Sequence, residues 1–230
     1  MLAWHFIGED KRLGNGDGRL VEVGQTLECE GEPALCSNGM HGSARLIDAL
    51  KYASGPIVCR VEIEGDVIEG DDKLCGRRRT VLWMLDATRL LHEFACQSAE
   101  DALALVEQPD ERSVAGIAAK RAWLDGKITD KKLDSAWAAA WDASQNVAWV
   151  ASAAALAAWD ASRSAAWAAV RDAVEAAAEA ARSASWDAAW AEAWSTARAA
   201  AWTEARDAAR DKQNERLTAM VMAAHEKEGE

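Results

Sequence analysis

The sequence predicts an α+β protein: a small N-terminal mixed α/β domain with a twisted, mainly antiparallel sheet, followed by an alanine- and tryptophan-rich α-helical bundle. Three observations carry that expectation. Residues 1–76 hold twelve of the fifteen glycines and two of the three prolines, whereas Lys127 to Glu228 holds neither. The N-terminal part is built of short β-branched runs of rough period two, separated by turn residues. Residues 136–210 contain 35 alanines in 75 positions, and alanine is the strongest helix former. The implied organisation is an α+β domain over residues 1–85, connecting helices over 86–126 and the bundle over 127–230.

Strands are predicted for "LAWHFI" (2–7), "RLVEVGQTLE" (19–28) and "PIVCRVEIE" (56–64). "EGD" at 64–66 reads as a tight turn into "VIEG", which suggests a hairpin with the preceding strand. Between them, "ARLIDALKYA" (44–53) places Leu46, Ile47, Leu50 and Ala53 at helical spacing, with Ser43 as its N-cap. "RRRTVLWML" reads as a further strand ending at Asp86, and Asp86 can cap a helix running to Gln108, interrupted near Ser98. Pro109 stops that helix, because proline cannot continue it and disfavours the α region at the residue before. "SVAGIAAKRAWL" is a shorter helix stopped at Asp125-Gly126, and Thr129 or Asp130 caps the alanine region.

Within that region the tryptophans set the architecture. At about 100° per residue, Trp137, Trp141, Trp149, Trp159 and Trp167 fall within roughly 120° of arc, with Val170 and Val174 nearby. Trp186, Trp190 and Trp194 fall on the opposite side, and Trp202 returns towards the first stripe. A change of face fits several packed helices better than one rod, with breaks at 144–146, 162–164 or 182–185, the last being favoured. Alanine then lets helix axes approach while tryptophan fills the gaps. The competing reading is an exposed aromatic face for a partner, for which Trp186, Trp190, Trp194 and Trp202 are the candidates.

Charge narrows the function. The chain carries 38 acidic and 26 basic residues, a formal net charge of −12. The part before Gly126 carries −8 and the part after it −4, so direct nucleic-acid binding is not expected. Five cysteines (Cys29, Cys36, Cys59, Cys75 and Cys96), with no CxxC pair and no basic segment opening "MLAWHFIGEDKR", point to reduced thiols in a cytoplasm. No membrane span is expected, since the longest uncharged run lies between Asp142 and Asp160 and is rich in small and polar residues.

Chemistry-bearing groups concentrate in "LCSNGMHGSARLIDALKYA" (35–53), where Cys36, His41, Ser43 and Tyr52 supply a thiol, an imidazole and two hydroxyls. A turn followed by a packed helix accounts for the same residues without chemistry. Cys29, Cys36, His41 and Cys59 are metal-ligand types at irregular spacing, and no metal or other cofactor is expected. "LGNGDGR" (13–19) reads as a hairpin loop, not a phosphate-binding loop. "GDDK" (70–73) reads as a solvated turn or as a metal or catalytic pair, and "GRRR" (76–79) either seats an anion or balances the acidic loop.

Two resemblances add expectations. Through "LAWHFIG", "LCSNGMHGSARLIDALKYA", "IVCRVEIEGDVIEGDDK" and "RTVLW", residues 1–85 resemble a small domain of unknown function found in bacteriophage and bacterial proteins. The order "GMHGSARLIDALKY" then "VCRVEIEG" is also faintly similar to ADP-ribosyltransferase folds. That resemblance implies a nicotinamide pocket with His5 in the first motif, Ser43 in the second, and a catalytic glutamate among Glu62, Glu64 and Glu69. Residues 94–180, through "FACQSAEDALALVEQPDERSVAGIAAKRAWLDGKIT", resemble predicted immunity-type helical proteins, with tryptophan and aspartate where that family carries histidine and glycine. Together they imply a phage-type accessory protein in the cytoplasm of a bacterial host, binding a host or phage protein and inhibiting a host defence system. Self-association is compatible with this. The alternative is an ADP-ribosyltransferase-like enzyme or binder of NAD-derived nucleotides, with the helices as a regulatory module.

Overall fold

The computed structural model describes residues 1–14, 17–104, 109–146 and 196–229, with side chains for all of these except 141–146 and 196–206. Two units separate within it. The first comprises Met1–Thr88 together with Asn214–Glu230, and the second begins at Arg89 and ends at Gln213.

A four-stranded antiparallel sheet, in the order β1-β4-β7-β2, organises the first unit: β1 Leu2–Ile7, β2 Thr26–Glu28, β4 Ile57–Glu64 and β7 Arg78–Asp86. The second sheet, ordered β3-β6-β5, is small: β3 Met40–Gly42, β5 Ile68–Glu69 and β6 Leu74–Gly76. The predicted α+β character is therefore present, with antiparallel sheets followed by helices.

Strand periodicity sorts the first sheet into two faces. On one, Ala3 and Ile7 of β1, Cys59, Val61 and Ile63 of β4, Val81 of β7 and Leu27 of β2 form a core with Met40 and Leu74 of the second sheet. The opposite face carries two cross-strand rows, Phe6–Val58–Leu85 and Trp4–Arg60–Trp83. In the second row Arg60 lies 4.4 Å over the Trp4 ring, and Trp4 meets Trp83 edge-on at 5.7 Å. A register shift between Arg60 and Val61 introduces one extra residue, Leu82, on β7, which is how the two rows keep their faces.

Several expected elements take a different form. Residues 19–25 do not extend β2. They turn through Gly24, whose φ is +81°, and only an isolated bridge between Arg12 and Leu20 closes the 13–19 loop. The Gly65-Asp66 turn exists, with both residues at positive φ. However, "VIEG" pairs onward with β6 instead of back onto β4, so the hairpin is β5–β6 around the 70–73 turn.

Helix α1, Leu46–Leu50, has Arg45 at its N-cap and no side-chain cap. Ser43 is occupied elsewhere, exchanging two backbone hydrogen bonds with Trp4 (2.8 and 2.9 Å) and so fixing the end of β3 to the free edge of β1. Closing residues of the chain also belong here. Leu217 and Val221 are fully buried, the Asn214 side chain accepts from the Ile47 amide at 3.1 Å, and His225 stacks on Trp83 at 4.0 Å.

Helices make up the second unit. Helix α2, Thr88–Leu103, begins where the Asp86 carboxylate accepts from the Thr88 amide, as the sequence suggested. It runs without interruption through Ser98, which is buried; residues 105–108, where the sequence extends it, lie outside the described residues. Helix α3, Glu111–Leu124, is capped by Asp110 and stopped at Gly126 with φ +68°, and helix α4 is Asp130–Asn146. Cys96, Ala99, Leu103 and Ile117 form its core. Gly116 of α3 lets α4 approach, since a Cβ there would stand 3.0 Å from that of Ala140.

Helix α5, Thr196–Glu228, completes the described elements. The expected breaks at 162–164 and 182–185, and Trp149, Trp159, Trp167, Val170 and Val174, lie outside the described residues. No described helix is long and apolar enough to cross a membrane.

Gly42 marks the tightest approach between β3 and β1. A Cβ there would sit 2.9 Å from the Ile63 side chain and 3.1 Å from both the Ala3 Cβ and the Trp4 carbonyl oxygen. The Ile63 methyl can turn aside, but the Trp4 carbonyl and the Ala3 Cβ are fixed to β1, so Gly42→Ala is expected to lower the unfolding free energy by about 1–3 kcal/mol. Chemical denaturation of the two proteins checks this.

Candidate functional site

A cleft of about 940 Å³ opens on the core face of the first sheet, walled by β3 and by residues 36–39, with Leu13, Gly14, Asp17 and Arg19 also in its lining. Four sequence-predicted residues meet there from four places: His5 from β1, His41 from β3, Ser43 from the bridge after β3, and Tyr52 from beyond α1. Cys29 and Cys36 line it as well. Glu62, Glu64 and Glu69 do not reach the cleft, because the pleat of β4 turns the first two to solvent and Glu69 is exposed on β5. The carboxylates that line it are Asp17, Glu28 and Glu30.

Local hydrogen bonds define each group. His41 Nε2 accepts from the Cys36 amide at 3.3 Å, which leaves Nδ1 to donate to the Gly39 carbonyl at 2.9 Å. Both nitrogens are thus spent on backbone, and the ring is held in one neutral tautomer. It is not positioned as a base for the Cys36 thiol. Burial lowers the His41 pKa against the smaller opposing effect of the Gly39 contact. Burial also carries His5 well below the ordinary imidazole value, helped by the positive charge of Arg79 and by His41.

The Cys36 backbone is held at φ +63°, and Asn38 fixes its loop by donating to the carbonyls of Glu30 and Glu32 at 2.8 and 2.9 Å. Tyr52 donates to Asp72 at 2.8 Å, and the Lys73 ammonium stands 4.5 Å over the Tyr52 ring. A hydrogen bond with Cys36 is the main cause of the raised Lys73 pKa.

Within the arginine run Arg77 precedes β7, and the pleat of β7 turns Arg78 and Arg79 to opposite faces. Arg77 pairs with Asp66 at 2.8 Å and Arg78 with Glu64 at 3.8 Å, so these two balance the acidic turn. Arg79 faces the other way. It lies opposite Ile63 on one neighbouring strand and Leu27 on the other, is 2 % exposed, and lines the cleft. Its Nη1 donates to the His41 carbonyl at 2.7 Å while Nε has no partner. Burial drags the guanidinium down to about 10, so it remains cationic at neutral pH.

Asp17 is not its counterion. That carboxylate is taken by a two-pronged contact with Arg19, both bonds at 2.7 Å, the geometry in which arginine binds carboxylates most strongly. Sequence reasoning named the run as a whole but not this residue; stepping back by two from Val81 is the signal that singles it out.

The cysteine set does not gather for a metal. Burial pushes the Cys59 thiol up to about 12, and Cys59 sits on β4 outside the cleft lining. Among the described residues no group of three or more His, Cys, Asp or Glu is placed to hold a metal ion. The 70–73 segment is a turn closed by a 2.8 Å bond from the Gly70 amide to the Lys73 carbonyl. Trp186, Trp190 and Trp194 lie outside the described residues, as does the side chain of Trp202.

Comparison with known proteins places a domain of unknown function (DUF7666) over residues 1–93. This spans both sheets, the cleft and the first turns of α2. No curated protein and no solved structure matches the chain.

With both residues half-buried and His41 bonded to backbone at each nitrogen, His5 and His41 are expected to be neutral at pH 7 and to titrate below free histidine. Acidification through the unfolded value of about 6.5 then costs stability, because the unfolded chain takes up protons that the folded chain refuses. Nitrogen-15 NMR of the histidine side chains checks this; an Nδ1-protonated neutral His41 is the expected form, and an imidazolium at pH 7 would contradict it.

Proposed function

We propose that the N-terminal unit is a binding module for a nucleotide-type small molecule, NAD or an NAD-derived nucleotide such as ADP-ribose. The observation that carries this is the convergence of His5, His41, Ser43 and Tyr52 on one cleft. Its volume, about 940 Å³, lies in the range of clefts that enclose small organic ligands. Polar groups fixed around the cleft support selective binding: the Tyr52–Asp72 pair and the Asn38-clamped loop beside the neutral His41 ring, whose nitrogens hold that loop. Binding is proposed rather than ADP-ribosyl transfer, because the three glutamates suggested for catalysis stand outside the cleft.

For the helical half, the phage-type accessory role remains a separate proposal, in which the tryptophans bind a host protein and inhibit a defence system. The nine tryptophans of residues 136–210 support it.

Thermal unfolding of the full chain with millimolar NAD, ADP-ribose or adenosine tests the binding reading. A saturable rise in Tm with at least one of them is expected, amounting to about 2.7 kcal/mol of stabilisation at a ligand concentration one hundred times Kd. An unchanged transition with all three would overturn it.

A further inference from the structure

Arg79 occupies a position that the sheet otherwise fills with apolar side chains. Its cross-strand neighbours Ile63 and Leu27 belong to the core, as does Val81 two residues along the same strand. A charge taken out of water without a counterion is destabilising, by several kcal/mol in general. Arg79 forms no ion pair among the described residues, and its Nε is buried without a partner. Among the described residues the hydrogen bond it makes is to a neutral carbonyl, that of His41. A valine or leucine there would continue the core.

Lys73 lines the same cleft and likewise forms no ion pair among the described residues. The carboxylates around them make their hydrogen bonds and ion pairs with other groups or lie exposed. Asp17 is held by Arg19, Asp72 by Tyr52 and Lys51, and Glu28 and Glu30 are exposed at the rim. Arg79 is thus the buried cation of the cleft, while Lys73 stands near its mouth against Cys36 and the Tyr52 ring.

We infer that Arg79 and Lys73 form an anion subsite that seats the phosphate groups of the ligand. The missing counterion is supplied on binding. Arginine's planar fork matches phosphate oxygens, and a buried guanidinium meets them with little competition from water. The cleft is far larger than a phosphate ion, so the phosphate is one end of a larger molecule, of nucleoside diphosphate class. This inference rests on the nucleotide reading of the cleft.

Isothermal titration of the full chain at pH 7.5 separates the two claims. The probes are ADP-ribose, inorganic pyrophosphate, inorganic phosphate, citrate and adenosine, against wild type, Arg79→Met, Arg79→Lys and Lys73→Met. Wild type is expected to bind ADP-ribose at least tenfold more tightly than adenosine. Arg79→Met should weaken ADP-ribose 10- to 100-fold and Lys73→Met less, with adenosine unchanged in both. Should Arg79→Met fail to fold, Arg79→Lys, which keeps the charge and loses the fork, carries the comparison with a smaller loss. ADP-ribose binding that is indifferent to both residues would overturn the subsite and leave the nucleotide reading standing. Pyrophosphate or phosphate binding that depends on Arg79, without nucleotide binding, would keep the subsite and overturn the nucleotide reading. Citrate bound as tightly as pyrophosphate would overturn the assignment to phosphate, and no binding by any probe would overturn both.

Discussion

A guanidinium on the inward face of a β-sheet constrains everything around it. Arg79 is 2 % exposed where β7 places it, and among the described residues it has one hydrogen bond, to a carbonyl, and no ion pair with a carboxylate. The carbonyl belongs to His41, so the strand that carries His41 is drawn over the same patch of sheet. His41 in turn spends both ring nitrogens on the loop before it, and Asn38 ties that loop back to residues 30 and 32. The cleft wall is therefore one connected set of hydrogen bonds that ends on a buried charge. Such networks are rigid when satisfied, and here one donor is left over.

The two faces of the sheet divide the labour. On the face away from the cleft, aromatic packing dominates: the Trp4–Arg60–Trp83 row is capped by His225, and Leu217 and Val221 are fully buried. That packing supplies apolar burial that the cleft face forgoes by leaving a cavity beside His5 and Arg79. Close approaches through Gly42 and the Ser43–Trp4 bridge then hold β3 against the edge of β1. Loss of stability at the site is offset elsewhere in the same unit, the usual arrangement where binding and stability make opposed demands.

How much of this was legible in the residues depends on the range of the interaction. β1, β4 and β7 were readable because period-two alternation is a local property of each strand. The 19–25 segment was not, since its β-branched residues satisfy the same pattern while Gly24 turns the backbone. The pairing of β5 with β6 instead of β4 depends on which strand edge is free, which no local pattern encodes. Cys36, His41, Ser43 and Tyr52 were picked out by chemical type, and the fold brings them to one cleft together with the more distant His5. Glu62 and Glu64 failed to join because β4 alternates, which was readable once the strand was assigned, whereas Glu69 is carried out on β5. For Arg79 the run of three arginines obscured a simple fact: neighbours on a strand face opposite ways.

The central claim is that Arg79 is kept for a ligand and against stability. The most direct measurement is the unfolding free energy of wild type and Arg79→Met, without ligand, by chemical denaturation at neutral pH. If the charge awaits a counterion, replacing it by an apolar side chain of similar length leaves stability within about 1 kcal/mol or raises it. A loss of about 3 kcal/mol or more would show that the folded protein itself satisfies Arg79, and would contradict the account.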